Sequence, residues 1–121
     1  MGDVLTEQII GAAIEVHRVL GSGLLESIYE EALCVEMRSR GLSFQRQVEV
    51  EVNYKGHCIK GQRLDLLVEH AVVVELKSIA MLPHAATAQV LSYLKATGLK
   101  RALLINFGAP RLVDGIKRIS L

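Results

Sequence analysis

Apolar positions recur along this chain with two spacings, and the change of spacing marks out its elements. From Thr6 to about Leu20 the spacing is helical. Ile9, Ala13, Val16 and Leu20 form one stripe, joined by Ile10 and Ile14, with Thr6 as the helix cap. Gly21-Ser22-Gly23 ends this helix, because glycine accepts the left-handed conformation that a helix C-terminus uses. A second helix is predicted from about Leu24 to Arg40, stopped by Gly41, with Leu25, Ile28, Ala32 and Val35 on its buried side. The period then becomes two. From Gln45 to Tyr54, Val48, Val50, Val52 and Tyr54 share one face, and Gln47, Glu49, Glu51 and Asn53 share the other. The polar side suggests a partly exposed strand. Lys55-Gly56 turns the chain, and Cys58 to Gln62 lead into the next strand.

Residues 63–77 read as two short strands folded back on each other. Leu64, Leu66 and Val68 on the first and Val72, Val74 and Leu76 on the second would line one apolar face. Asp65, Leu67, Val73, Glu75 and Lys77 would occupy the opposite face. A slip of one residue would move the charged set into the apolar layer, so the register is fixed about His70. That register sets Asp65 opposite Glu75, with β-carbons roughly 4.5–5.5 Å apart. Two like charges so placed repel unless something positive lies between them. Lys77 is two residues from Glu75 on the same side of the strand, and a divalent cation is the simplest partner for two carboxylates.

Pro83 opens a third helix to about Thr97, with Gly98 as its stop and Val90, Leu91 and Leu94 packing inwards. Ala102 to Phe107 is an apolar run of strand character, suited to burial on both faces. Gly108-Ala109-Pro110 breaks it, and Val113 to Leu121 adds a last short strand carrying Lys117 and Arg118. A helix between two strands demands a crossover, which is normally right-handed and makes the pair parallel. The expected class is therefore α/β, with a mixed sheet of about four to five strands flanked by helices.

Composition narrows the picture. At 121 residues, half of them hydrophobic, the chain suits one folded domain spanning residues 1–121. A net charge of +1 gives no global pull towards nucleic acid, and two Phe, three Tyr and no Trp leave little for base stacking. Cys34 and Cys58 lack metal-binding spacing and read as reduced thiols of a cytoplasmic protein. No apolar run approaches the roughly 18 residues of a membrane span. Met1-Gly2 followed by Thr6 formally fits an acylation pattern, but Thr6 has the plainer role of a helix start.

The order Asp65-x9-Glu75-x-Lys77 matches the D…(D/E)-x-K signature of the PD-(D/E)xK nucleases, whose restriction-endonuclease-like core runs αβββαβ. Gln89-x-x-x-Tyr93 resembles the Q-x-x-x-Y element of that superfamily's exonuclease-like branch. Gly23-Leu24-Leu25-Glu26-Ser27-Ile28-Tyr29 is the motif that names the GxxExxY family, which is grouped with these nucleases. Flanking segments agree, including Val74-Glu75-Leu76-Lys77, Leu104-Ile105-Asn106-Phe107 and Gly115-Ile116-Lys117-Arg118, so the resemblance covers nearly the whole chain. Two positions depart from it. Ser22 stands where the family often has proline. Ala86 stands where it often has a histidine three residues before the glutamine, and here His84 lies five before.

The resemblance implies a nuclease hydrolysing phosphodiester bonds of nucleic acid, DNA ahead of RNA. It implies Mg²⁺ or Mn²⁺ held by Asp65, Glu75 and the Leu76 carbonyl, with Glu26 as a further acid acting directly or through water. It makes Lys77 the group that orients or deprotonates water, and Gln89 and Tyr93 the groups that position phosphate. His17, beside the first helix's apolar stripe, is either a packed or capping histidine or one bordering the site. No membrane association is expected. A bare core lacks elements to grip a duplex, so a homo-oligomer, a dimer, is expected, with Val48, Val50 and Val52 or the C-terminal segment as its interface. The rival reading is a catalytically silent nucleic-acid-binding or assembly module that keeps the nuclease fold. A third, a hydrolase of small phosphate esters, rests on the metal site alone.

Overall fold

Asp3 caps the first helix. Its carboxylate accepts from the Thr6 N–H at 2.8 Å, and the Thr6 hydroxyl donates to the Asp3 carbonyl. The cap is thus three residues earlier than predicted, and Thr6 is buried in the first turn. The structure is a computed structural model describing residues 3–121, so the Met1-Gly2 part of the acylation pattern lies outside the described residues. The elements are α1 (Val4–Leu20), α2 (Glu26–Ser39), β1 (Phe44–Tyr54), β2 (His57–Val68), β3 (Val72–Lys77), α3 (His84–Thr97), β4 (Arg101–Asn106), a short 3₁₀ turn (Leu112–Gly115) and β5 (Ile116–Ser120).

The strands form one mixed sheet in the order β1-β2-β3-β4-β5. Only β3 and β4 run parallel, joined through α3, as the crossover argument required. The β2–β3 register is Leu66↔Val74, Leu67↔Val73 and Val68↔Val72, the one fixed by hydrophobic alternation. Glu69 and His70 in the connection adopt left-handed φ angles of 52° and 54°. The Glu69 carboxylate accepts from both the N–H and the hydroxyl of Ser43, which holds this turn against the start of β1.

Two hydrophobic layers cover the sheet. On one face α1 and α2 pack Ile9, Val16, Leu33 and Met37 against Leu66, Val74, Leu76 and Ile105. On the other, α3 packs Val90 and Leu94 against Val50, Leu64, Val73 and Leu104. Alternate residues of β4 enter both layers, as its continuous apolar run implied.

Three expectations about facing fail. First, α2 turns the other way. Its buried residues are Tyr29, Glu30, Leu33, Cys34 and Met37, whereas Leu25, Ile28 and Val35 are exposed and Ala32 is only partly covered. Both stripes are apolar at helical spacing. Tyr29 decides between them by stacking on Phe107 of the segment after β4, with centroids 4.4 Å apart and rings within 7° of parallel. Leu20 and Ile14 of α1 are likewise partly exposed.

Second, Leu64 does not share a face with Leu66. Leu66 lies in the α1/α2 layer and Leu64 in the α3 layer. Phe44 and Val48 of β1 are divided in the same way. Arg46↔Leu66 and Val48↔Leu64 pair on either side of Gln47 and Asp65, and Gln47 has a left-handed φ of 50°. Gln47 is the residue outside strand geometry where the facing of β1 reverses, and the facing of β2 reverses beside it. Third, Val50 is buried within the chain and so is not a surface residue, while Val48 is partly covered beside it. Val52 and Tyr54 are exposed on the outer part of the hairpin, past a bulge between Val50 and Val52.

Cys34 is buried, Cys58 is exposed, and neither is paired. No described helix is long and apolar enough to cross a membrane.

Candidate active site

Asp65 and Glu75 meet where β2 and β3 begin to part. The ladder between these strands ends at Leu66↔Val74. One residue further, side chains replace the missing backbone bonds. The Asp65 N–H donates to Glu75 Oε1 at 3.1 Å, and the Leu76 N–H donates to Asp65 Oδ2 at 2.8 Å. Each carboxylate thus satisfies a backbone donor that strand divergence has left without a partner.

Both acids are buried, with Glu75 only 4% exposed. Burial first, and the facing Asp65 charge second, raise the Glu75 carboxyl from an ordinary 4.5 to about 8, against the pull of the Asp65 N–H and Lys77. Tyr93 of α3 lies against the same pair. Its phenol is pushed up to about 12, chiefly by burial and then by the charges of Glu75 and Asp65, while neighbouring Gln89 opposes the rise.

Glu26 is the first residue of α2, where a carboxylate also complements the helix dipole. Burial, then the charge of Asp65, raises its pKa, and Lys77 opposes the rise. Glu26, Lys77 and Gln89 line one cleft of about 450 Å³ together with Pro83 and Ala86. Ala86 puts a methyl group on the cleft wall. A second cleft of about 390 Å³ lies on the other side of Glu26, between residues 22–26, residues 78–80 and Gly108.

The G-x-x-E-x-x-Y spacing acquires a physical meaning here. The Tyr29 hydroxyl donates to the Gly21 carbonyl and accepts from the Leu24 N–H, so the buried ring anchors the loop that delivers Glu26. Gly23 in that loop has a φ of 103°, which a side chain would strain. Ser78 donates to the Leu24 carbonyl at 2.6 Å and ties the same loop to the end of β3. His17 donates from Nε2 to the Ala109 carbonyl at 3.0 Å.

The sequence-derived residues thus fall on β2, β3, the first turn of α2 and the middle of α3. Asp65, Glu75 and Tyr93 come together, and Glu26, Lys77 and Gln89 share a cleft. The three carboxylates are not drawn to one point. Among the described residues, no group of three His, Cys, Asp or Glu side chains is gathered closely enough to hold a metal ion. Glu26 stands at an exposed helix end, while the other two acids are turned to backbone donors.

Sequence reasoning missed three polar residues. Asn106 is buried, accepts from the Ile79 and Gly108 N–H groups and donates to the Ile79 carbonyl, clamping the loops after β3 and β4 together. Its signal was present, as the polar residue inside the run Ala102–Phe107. Glu30 and Gln47 gave none. Gln47 reads as a solvent-facing strand position, and Glu30 as half of an acidic pair on a helix.

A model of the PD-(D/E)XK nuclease superfamily matches residues 3–119. Among solved structures, one described as "Crystal structure of SSO0001" is similar, with a TM-score of 0.60 and 15% sequence identity, covering 98% of this chain and 78% of that one. That likeness speaks for the fold alone. No curated protein matches the chain in sequence.

Proposed function

The chain belongs to the PD-(D/E)XK nuclease superfamily, and on that premise we propose that it is a metal-dependent nuclease hydrolysing phosphodiester bonds of nucleic acid, DNA ahead of RNA. Members of this superfamily are typically nucleases and generally use divalent metals. The observation that carries the proposal is the buried Asp65/Glu75 pair. Two facing carboxylates with a suppressed Glu75 ionisation are a charge arrangement that a dication relieves. Hard oxygen donors suit Mg²⁺ or Mn²⁺. Asp65, Glu75 and the Leu76 carbonyl would hold the ion. Glu26, set apart from the pair, would act through a bridging water.

A bound divalent ion supplies charge neutralisation and polarisation of the phosphodiester. Lys77 then serves the reacting centre from the cleft, orienting the attacking water or offsetting charge on the phosphoryl oxygens. Gln89 lies in the same cleft and offers amide donors to a backbone phosphate. Tyr93, kept protonated by its surroundings, stays a hydrogen-bond donor throughout the physiological range. The GxxExxY resemblance adds a reason for Glu26 and Tyr29, since the tyrosine fixes the loop that presents the acid. A dimer would supply the second half of a duplex grip.

One observation favours the rival module. Both acids are already satisfied by backbone donors, so an ion must share their oxygens with them. Incubating the protein with linear, circular, single-stranded and RNA substrates in Mg²⁺, Mn²⁺ or EDTA separates the readings. Metal-dependent cleavage that Glu75→Ala and Lys77→Ala both abolish supports the nuclease. Tight binding without cleavage makes the chain a silent module, and cleavage surviving both substitutions removes this site from the chemistry.

A further inference from the structure

Behind Asp65 lies a polar cluster that the superfamily signature does not include. Arg46 donates to Glu30 Oε2 at 3.0 Å from Nε and pairs with Glu31 as well. The Gln47 amide nitrogen donates to Glu30 Oε1 at 2.9 Å and lies 3.3 Å from Asp65 Oδ1. Glu30 and Asp65 are both buried, and one neutral amide stands between them. Its two N–H groups serve one acid each. The orientation is forced, because a carbonyl turned to either carboxylate would repel it. Asp65 is therefore held from two sides, with the Leu76 N–H on Oδ2 and Gln47 on Oδ1.

The backbone at Gln47 points the same way. A left-handed φ in mid-strand strains a non-glycine residue and persists only where its surroundings over-determine it. Glycine would relieve that strain. Glutamine at this position instead links α2 to the β2 acid.

We propose that Gln47, fixed by buried Glu30 and its partner Arg46, is a positioning residue that sets the Asp65 carboxylate for divalent-metal binding. This rests on the metal-site reading above. Each Asp65 oxygen keeps a lone pair for a cation while its hydrogen bond fixes the plane of the carboxylate. Loss of such an outer-shell partner typically lowers metal affinity about 10–100-fold.

The test is Mn²⁺ titration by calorimetry and electron paramagnetic resonance, with thermal unfolding measured alongside in EDTA. Gln47→Gly removes the amide and the strain together. It is expected to unfold at or above the wild-type temperature while binding Mn²⁺ about 10–100-fold more weakly. Glu30→Gln keeps the shape but frees the amide from its charged anchor, and is expected to weaken binding less. Glu75→Ala, which removes a ligand, is expected to abolish it. Wild-type affinity in both Gln47→Gly and Glu30→Gln would overturn the positioning role and leave the metal site standing. A wild-type protein that takes up no Mn²⁺ would overturn the metal reading and this proposal with it.

Discussion

The two halves of β2 lie in one continuous strand and have opposite fates. Residues 57–63 are all exposed, although they pair with β1 along their length and include Ile59 facing Val52. Leu64 to Val68 are buried or nearly so. The residues differ, since 57–63 are mostly polar and Leu64–Val68 mostly apolar, and so do the neighbours. The inner half has β3 on its other edge and helices over both faces, whereas the outer half has a single neighbour. A two-stranded ribbon has nothing to bury its apolar residues against. The candidate chemistry lies at the boundary. There β3 begins to leave β2, and Asp65 and Glu75 take up the backbone donors so released.

The largest expected effect tests whether chemistry is confined to the inner side of that boundary. Lys77→Ala should lower cleavage by about 10²–10⁴-fold. Lys60→Ala, on the exposed half, should change it only a few-fold and mainly through salt dependence. Equal losses in steady-state cleavage rates would erase the distinction.

Stability should divide in the same place. Leu66→Ala opens a cavity beneath α1 and α2 and should cost about 2–5 kcal/mol in denaturant unfolding.

The pH response sharpens the comparison at Asp65 and Glu75. In the folded protein Glu75 holds its proton up to about pH 8, but in the unfolded chain only to about its ordinary 4.5. Between these values the folded state binds more protons, so in EDTA stability should fall as pH rises through that window. Calorimetric melting temperatures should show the decline, and Glu75→Gln should flatten it. A wild-type protein growing more stable from about pH 5 to about pH 8, with Glu75→Gln unchanged, would contradict the assignment.

The smallest effect is a near-absence. Ile59→Ala on the ribbon should stay within about 0.5 kcal/mol of wild type. A loss matching that of Leu66→Ala would show that the ribbon's apolar residues are covered in solution.

Much of this was legible in the residues alone. Hydrophobic alternation fixed the β2–β3 register, because any slip buries Asp65, Glu75 and Lys77 in an apolar layer. The helix between β3 and β4 required their parallel pairing, and the acid-acid-lysine spacing located the candidate site. These follow from local periodicity and chain connectivity, which a sequence carries directly. Only the tertiary structure decided which apolar stripe of α2 faces inwards, since Leu25, Ile28 and Val35 compete with Tyr29, Leu33 and Met37 until Phe107 supplies a surface. It also decided the reversal of facing at Gln47 and Asp65, and the meeting of Gln47 with both Glu30 and Asp65. Such features depend on what lies across a gap between distant segments, and spacing along one strand or helix contains no record of that neighbour.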